Sequence, residues 1–385
     1  MLGFSAGEDI PMRIAFTTET WWPSTDGVVT RLTATVRELR RMGHDLLIIA
    51  PRGGDATFEG IPVVGIPTVS VGFIYGGKPW GLPLPRVLRI IDDFRPDLVH
   101  VVNPFVLGVA GVWGAVKRRY PLVASYHTNI ARYAEFYHLG ASKPVIWAIL
   151  RSLHNRAQLN LVTSLAVQRE LGEHGIQRVA LWHRGVDLEQ FCPQQRSQTV
   201  RDRMTDGHPD RVIAVYVGRL ALEKGLNRLN RIFHDHPNLH LCFVGDGPAR
   251  PWLEERFRNT ATTFLGTLHG VELAEAYASA DFFIFPSTTE TLGLVLLEAM
   301  ASGLPIVAAE APPTHELVDQ SGAGALFAAD DNDGLVKAVA QILEQDLAAL
   351  SLRARKEAER WGWSVPTTEL VALYQRVQKE SKKLQ

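Results

Sequence analysis

At 385 residues the chain is longer than one hydrophobic core ordinarily grows, so two globular domains are expected. Hydrophobic residues make up 46%, which excludes a disordered polymer. A formal net charge of −1 excludes a nucleic-acid binder that works by bulk positive charge. Cys192 and Cys242 are the only cysteines, which fits a reducing, cytoplasmic setting without a disulfide framework. No apolar run approaches the ~20 residues that span a bilayer.

Residues 1–11, MLGFSAGEDIP, carry two acids and no basic stretch, so they read as a loose extension rather than a signal peptide. From Met12, short apolar segments alternate with amphipathic ones. Strands are expected at Arg13–Thr17, Asp45–Ala50, Pro62–Ile66, Asp97–Val102, Leu122–Tyr126, Leu159–Thr163 and Val179–Trp182. Helices such as Val28–Met42 and Val106–Arg119 lie between them, with apolar residues at i, i+3, i+4 spacing. The polar stretch 194–210 reads as a linker. The pattern restarts with strands at Val212–Val217, Leu239–Val244, Thr263–Leu265, Asp281–Phe285 and Ile306–Ala309. Strands buried on both faces and separated by helices indicate doubly wound parallel sheets. The plan is therefore two Rossmann-like domains, residues 12–193 and 211–365, with a cleft between them and a C-terminal helix, 366–385, packing back toward the first. In such sheets ligands sit beyond the carboxyl ends of the strands.

Several candidates fall at those ends in the second domain. VGRLALEKG puts Arg219 and Lys224 after its first strand; a planar fork and a point charge there can neutralise a diphosphate, or be two surface cations. VGDGP ends the next strand with Gly245 and Gly247, which suit either a close approach to a ligand or a simple turn. FPSTTETLGLVLLEAMASGLP holds Glu290 and Glu298 in one frame. Thr291, Leu292 and Gly293 open a helix whose free N–H groups can seat a phosphate. Glu298, two turns down, can accept hydrogen bonds from ribose hydroxyls, and Glu290 can reach the sugar.

Glu–x7–Glu downstream of GRL–x3–KG resembles the retaining GT-B glycosyltransferases of family 4, along essentially the whole chain from Met12. The resemblance implies an α/β GT-B architecture, with a nucleotide sugar as substrate and no further cofactor. It implies Arg219 and Lys224 at the donor diphosphate, Glu298 at the ribose and Glu290 at the transferred sugar. The Thr291, Leu292, Gly293 and Leu294 backbone would seat phosphate and sugar. Family members usually carry a glycine pair and a Pro-Glu or Pro-Asp after the next strand. This chain reads EAPPTHELV (Glu310–Val318), so the contacts of that loop stay open.

In the first domain, TETWWPSTDGVVTRL (Thr18–Leu32) leads into a helix, and Asp26-Gly27 can bring backbone toward the donor phosphates. ASYHTN places His127 at a strand end; the resemblance puts it beside the sugar as a hydrogen-bonding group. HRGVD offers Arg184 and Asp187, the latter also readable as a turn residue. No Asp-x-Asp pair follows a strand, so no metal is expected. Fixed cations and a helix terminus would stabilise the leaving diphosphate during front-face transfer with retention. The loop Ser70–Arg86, with Phe73, Tyr75 and Trp80, is glycine-rich and aromatic; it either rests on a membrane interface or packs on its own domain.

NPFVLGVAG, LVASYHTN, ALWHRGVD and TETLGLVLLEAM together resemble the sulfolipid synthase branch of the family. That branch moves sulfoquinovose from its UDP donor to diacylglycerol, which implies a lipid acceptor, peripheral membrane association and glycolipid synthesis. Arg31 and Arg184 are then the cations expected to meet the sulfonate, because a guanidinium fits a three-oxygen anion. A related transferase using UDP-glucose or GDP-mannose is the alternative. An oxidoreductase is disfavoured, since neither first βα turn contains G-x-G-x-x-G.

Overall fold

The computed structural model describes residues 11–24, 26–70, 79–127, 143–233, 236–288, 293–311, 314–331 and 333–384. They form two compact units, residues 1–184 with 366–385 and residues 185–365.

The first unit contains β1 (Arg13–Thr18), β2 (Asp45–Pro51), β3 (Thr57–Phe58), β4 (Ile61–Ile66), β5 (Thr68–Ser70), β6 (Pro79–Gly81), β7 (Leu98–Val102), β8 (Leu122–Ser125), β9 (Leu159–Val162) and β10 (Val179–Leu181). Eight of these join in the order β10-β9-β8-β7-β1-β2-β4-β3, parallel except where β3 meets β4. β5 and β6 form a separate antiparallel pair. β7 is apolar but for His100, and β1 and β7 are buried along nearly their whole length, as strands covered on both faces are. The order reverses at β1, where β2 lies to one side and β7 to the other, with Thr18 beside Val102 and Val102 beside Ser125. The carboxyl ends of β1, β7 and β8 therefore lie side by side at the switch point.

In the second unit, β11 (Val212–Val217), β12 (Leu239–Val244), β13 (Thr262–Gly266), β14 (Phe282–Phe285), β15 (Ile306–Ala309) and β16 (Gly324–Phe327) form one parallel sheet, ordered β13-β12-β11-β14-β15-β16. Its switch point lies at β11 and β14. β3, β5, β6 and β16 have no counterpart among the expected strands. Each is four residues or shorter, too brief for an alternation pattern to register.

The C-terminal helix, Ser364–Leu384, buries Leu370, Val371, Tyr374 and Val377 in the same core as Ile14, Phe16, Ile48 and Trp182. It is part of the first unit from Pro366 onward.

Residues 194–210 are not a loose linker. A 3-10 turn (Pro193–Gln195) precedes a helix (Gln198–Met204) that Ser197 caps. Arg201 lies almost buried. It donates to the carbonyls of Pro209 (2.8 Å), Ser279 (2.7 Å) and Arg211 (2.8 Å) and to the Asp281 carboxylate (2.8 Å). The polar composition that suggests a linker reflects groups satisfied inside the fold, and the units divide at Arg184/Gly185 instead. Removing one partner of such a buried pair typically costs about 3 kcal/mol. Arg201→Met should therefore lower the urea midpoint of the second unit markedly while leaving the first unit's transition in place, as read by unfolding followed with domain-specific probes.

Candidate active site

At the end of β1, the Glu19 carboxylate accepts N–H groups from Phe105 (2.9 Å), Val106 (2.8 Å), Leu107 (3.1 Å) and Gly108 (2.8 Å). These are the first-turn donors of the Leu107–Arg118 helix, which has no side-chain cap from its own N-cap residue. A carboxylate from another strand thus occupies that helix terminus. Asn103, just past β7, adopts φ 52°, a left-handed conformation Asn tolerates. Its Oδ1 accepts the His127 backbone N–H at 2.7 Å. Neither Glu19 nor Asn103 was singled out from the sequence; their partners lie 24 to 89 residues away, and no local spacing signals them.

Asp26 caps the Gly27–Arg41 helix, its Oδ1 accepting from Val28 and Val29 N–H, both at 3.1 Å. Those two donors are committed within the chain, and the exposed Gly27 is what remains at that turn for backbone approach.

His127 is buried, with Nε2 2.9 Å from Ser125 Oγ. Burial, then the Arg31 charge, hold its pKa well below the usual range, so the imidazole is neutral. Its Nδ1 has no hydrogen-bond partner among the described residues. Arg31 is fully buried. Its Nη2 donates to the carbonyls of Trp182 (2.7 Å) and His183 (2.6 Å), and its guanidinium carbon stands 3.8 Å from the Trp182 ring centroid. Burial and then the neighbouring Arg184 push its pKa down to about 9, which leaves it a cation at neutral pH.

Arg31 and Arg184, the cations expected to meet the sulfonate, are both buried, with exposures of 0% and 1%. Arg31 is a clamp on the end of β10. Asp187 is a turn residue in the second unit, its Oδ1 accepting from Glu189 (3.1 Å) and Gln190 (2.9 Å) N–H.

In the second unit, Arg219 follows β11 with a half-exposed side chain, ion-paired to Glu223. Lys224 ends a 3-10 turn, Leu222–Lys224, that closes on Gly225 at φ 69°. A Cβ on Gly225 would stand 2.9 Å from the Pro286 carbonyl oxygen, so the Lys224 turn lies against the end of β14. Gly245 and Gly247 are explained by packing. A Cβ on either would strike the backbone oxygen of Gly218 or Leu220. The two loops are joined by Leu220 N–H to Asp246 O and Ala249 N–H to Leu220 O, both 2.9 Å. Their close approach is to the Arg219 loop.

The helix after β14 runs Leu294–Ala301, with Gly293 at φ 63° as its N-cap. Leu294 is buried. Tyr277 donates its hydroxyl to Glu298 Oε2 at 2.9 Å, and burial pushes the Glu298 carboxyl up to about 7. Glu290, Thr291, Leu292, Phe73 and Tyr75 lie outside the described residues. Trp80, on β6, is half-buried against the Phe105 ring at 5.2 Å, which places this end of its loop on its own unit. In the unusual Glu310–Val318 stretch, buried Thr314 donates to the carbonyls of Ala309 and Ala311, both at 2.8 Å, and folds the turn.

The model of Glycosyltransferase Family 4 matches residues 25–190, and that of Glycosyl transferases group 1 matches residues 202–361. The chain is 36% identical to sulfoquinovosyl transferase SQD2 of Arabidopsis thaliana, over 94% of this chain and 72% of that one. It is 35% identical to a GDP-mannose-dependent alpha-mannosyltransferase of Mycolicibacterium smegmatis, over 95% and 98%. An alpha-monoglucosyldiacylglycerol synthase of Acholeplasma laidlawii is 27% identical, over 97% and 99%. HepE of Anabaena, solved with UDP and glucose, shares the GT-B fold at a TM-score of 0.76 and 20% identity, over 95% of this chain and 100% of that one.

The raised Glu298 carboxyl sets a pH dependence. Below the ordinary carboxyl pKa near 4.5 both folded and unfolded states hold the proton, and burial costs nothing. As pH rises toward about 7 the unfolded state ionises more readily, so the wild-type side chain disfavours folding. Glu298→Gln keeps an acceptor for Tyr277 and should stabilise the second unit by about 1–3 kcal/mol at pH 8.5 but by little at pH 4. Thermal unfolding at the two pH values checks this; equal stabilisation at both would remove the buried-charge account.

Proposed function

The chain belongs to glycosyltransferase family 4, and from that membership we propose that it transfers sulfoquinovose from UDP-sulfoquinovose to diacylglycerol with retention at the anomeric carbon. The observation that carries the donor is the likeness to sulfoquinovosyl transferase SQD2 over nearly the whole chain. In the proposed reaction the bond from the anomeric carbon to the diphosphate breaks. The acceptor hydroxyl bonds to the same face, and its proton passes to the departing diphosphate. Arg219 and Lys224 stabilise that leaving group as fixed charges, without a bound metal. The Gly293 end of the Leu294–Ala301 helix seats phosphate, and Glu298 accepts the ribose hydroxyls. Glu290 and His127 contact the sugar. The likeness to the mannosyltransferase over nearly all of that protein favours a second reading, transfer from GDP-mannose.

A lipid acceptor is supported by a groove in the first unit, between the Leu107–Arg118 and Lys143–His154 helices. It holds about 570 Å³ over Val109 and Leu153, with Val145, Ala148 and Ile149 along it. Val145 (61%) and Ile149 (44%) are exposed, as is Trp113 (50%) nearby. Arg156 stands 4.8 Å from the Trp113 ring, and Lys117, Arg118 and Arg119 are exposed at the end of the first helix. Apolar side chains rimmed by cations suit an anionic lipid surface. Among the described residues no helix is long and apolar enough to cross a membrane.

Incubating the protein with anionic vesicles containing diacylglycerol and a panel of nucleotide sugars, followed by mass spectrometry, should yield sulfoquinovosyldiacylglycerol. A product formed only from GDP-mannose, or only on a soluble acceptor, overturns the reading. Arg219→Ala and Lys224→Ala should each cut turnover by about 10²–10³-fold. Val145→Glu with Ile149→Glu should slow transfer on vesicles but not to a short-chain diacylglycerol in free solution; equal loss on both removes the groove from the acceptor side.

A further inference from the structure

We infer that Tyr374 on the C-terminal helix acts through His100 and Ser125 as a positioning residue that fixes the tautomer of His127, leaving its Nδ1–H as a donor without a partner among the described residues. The proposal rests on the reading that His127 contacts the transferred sugar. Four side chains form an unbroken line inside the first unit. Tyr374 Oη lies 2.5 Å from His100 Nδ1, His100 Nε2 lies 2.9 Å from Ser125 Oγ, and Ser125 Oγ lies 2.9 Å from His127 Nε2. All four residues are at most 5% exposed, so water does not share these bonds.

The direction of the line follows from counting protons. Burial and the nearby Arg31 charge lower His100 to about 3 and hold His127 well below its usual range. Each ring is therefore neutral, with one N–H and one lone pair. Burial likewise keeps the Tyr374 hydroxyl protonated. Among the described residues, its hydrogen-bond partner is His100. A buried donor left without an acceptor costs about 1–3 kcal/mol, so Tyr374 donates to His100 Nδ1. His100 then carries its proton on Nε2 and donates to Ser125 Oγ. Ser125 in turn donates to His127 Nε2, and the remaining His127 proton must sit on Nδ1. Running the line backward strands the Tyr374 proton as well as the His127 Nδ1 lone pair, one unmet group more.

The outcome is a single buried N–H with no partner among the described residues, the kind of unmet donor that a bound oxygen satisfies. A sugar hydroxyl or ring oxygen supplies one. The reverse tautomer would offer only a lone pair there and could not hold an oxygen acceptor.

Long-range ¹H–¹⁵N spectra of the full chain labelled at histidine nitrogen test this without any substitution. The expected pattern for His127 is a protonated Nδ1 and a bare Nε2; a proton on Nε2 overturns the inference. Tyr374→Phe removes the first donor and should give a mixture of tautomers at both His100 and His127. It should also lower kcat about tenfold with a smaller change in donor KM. Tyr374→Phe with an unchanged His127 pattern would likewise overturn it. If the pattern shifts while His127→Ala transfers sugar at the wild-type rate, the relay stands and the sugar-contact role of His127 falls.

Discussion

The first unit is organised around a guanidinium that water does not reach. Arg31 gives two hydrogen bonds to the carbonyls that follow β10 and lays its plane on Trp182. A buried cation is expensive unless its donors and face are engaged; here the end of the sheet engages Nη2 and the face, while Nε and Nη1 have no hydrogen-bond partner among the described residues. Trp182 in turn packs against both His100 and His127. Burial, and after it the charge of that cation, keeps both histidines neutral. That neutrality lets a line of hydrogen bonds carry a direction from the C-terminal helix to a strand end. His183, paired with Glu369 at 2.8 Å, holds the same helix a second time.

Carboxylates fill helix termini in the first unit. Asp26 takes the first-turn donors of one helix and Glu19 those of another. Each acid does locally what a bound phosphate would do at a helix N-terminus. In the second unit, the helix after β14 begins at Gly293, which brings no carboxylate. The two cations that follow β11 belong to that same unit.

Backbone proximity accounts for features that a ligand might otherwise claim. The GDG and GRL loops lie so close that only glycine fits at Gly245 and Gly247. The Arg219 loop is thus held by its neighbour. Arg201 performs a comparable service where the second unit begins, tying two chain segments, 209–211 and 279–281, to one side chain.

The sequence by itself determined the sheet class, the principal strands and the positions of Arg219, Lys224, His127 and Glu298. Apolar runs and strand-end motifs are local patterns, and local patterns survive in a string. It also determined the family, because GRL–x3–KG and Glu–x7–Glu are spacings within one segment. Only the tertiary structure decided that Arg31 and Arg184 are interior cations, because exposure is a property of what packs above a residue. The same holds for Glu19, Asn103, His100 and Tyr374. Their partners lie up to 274 residues away, and a contact closed by folding across that distance leaves no period or spacing to read.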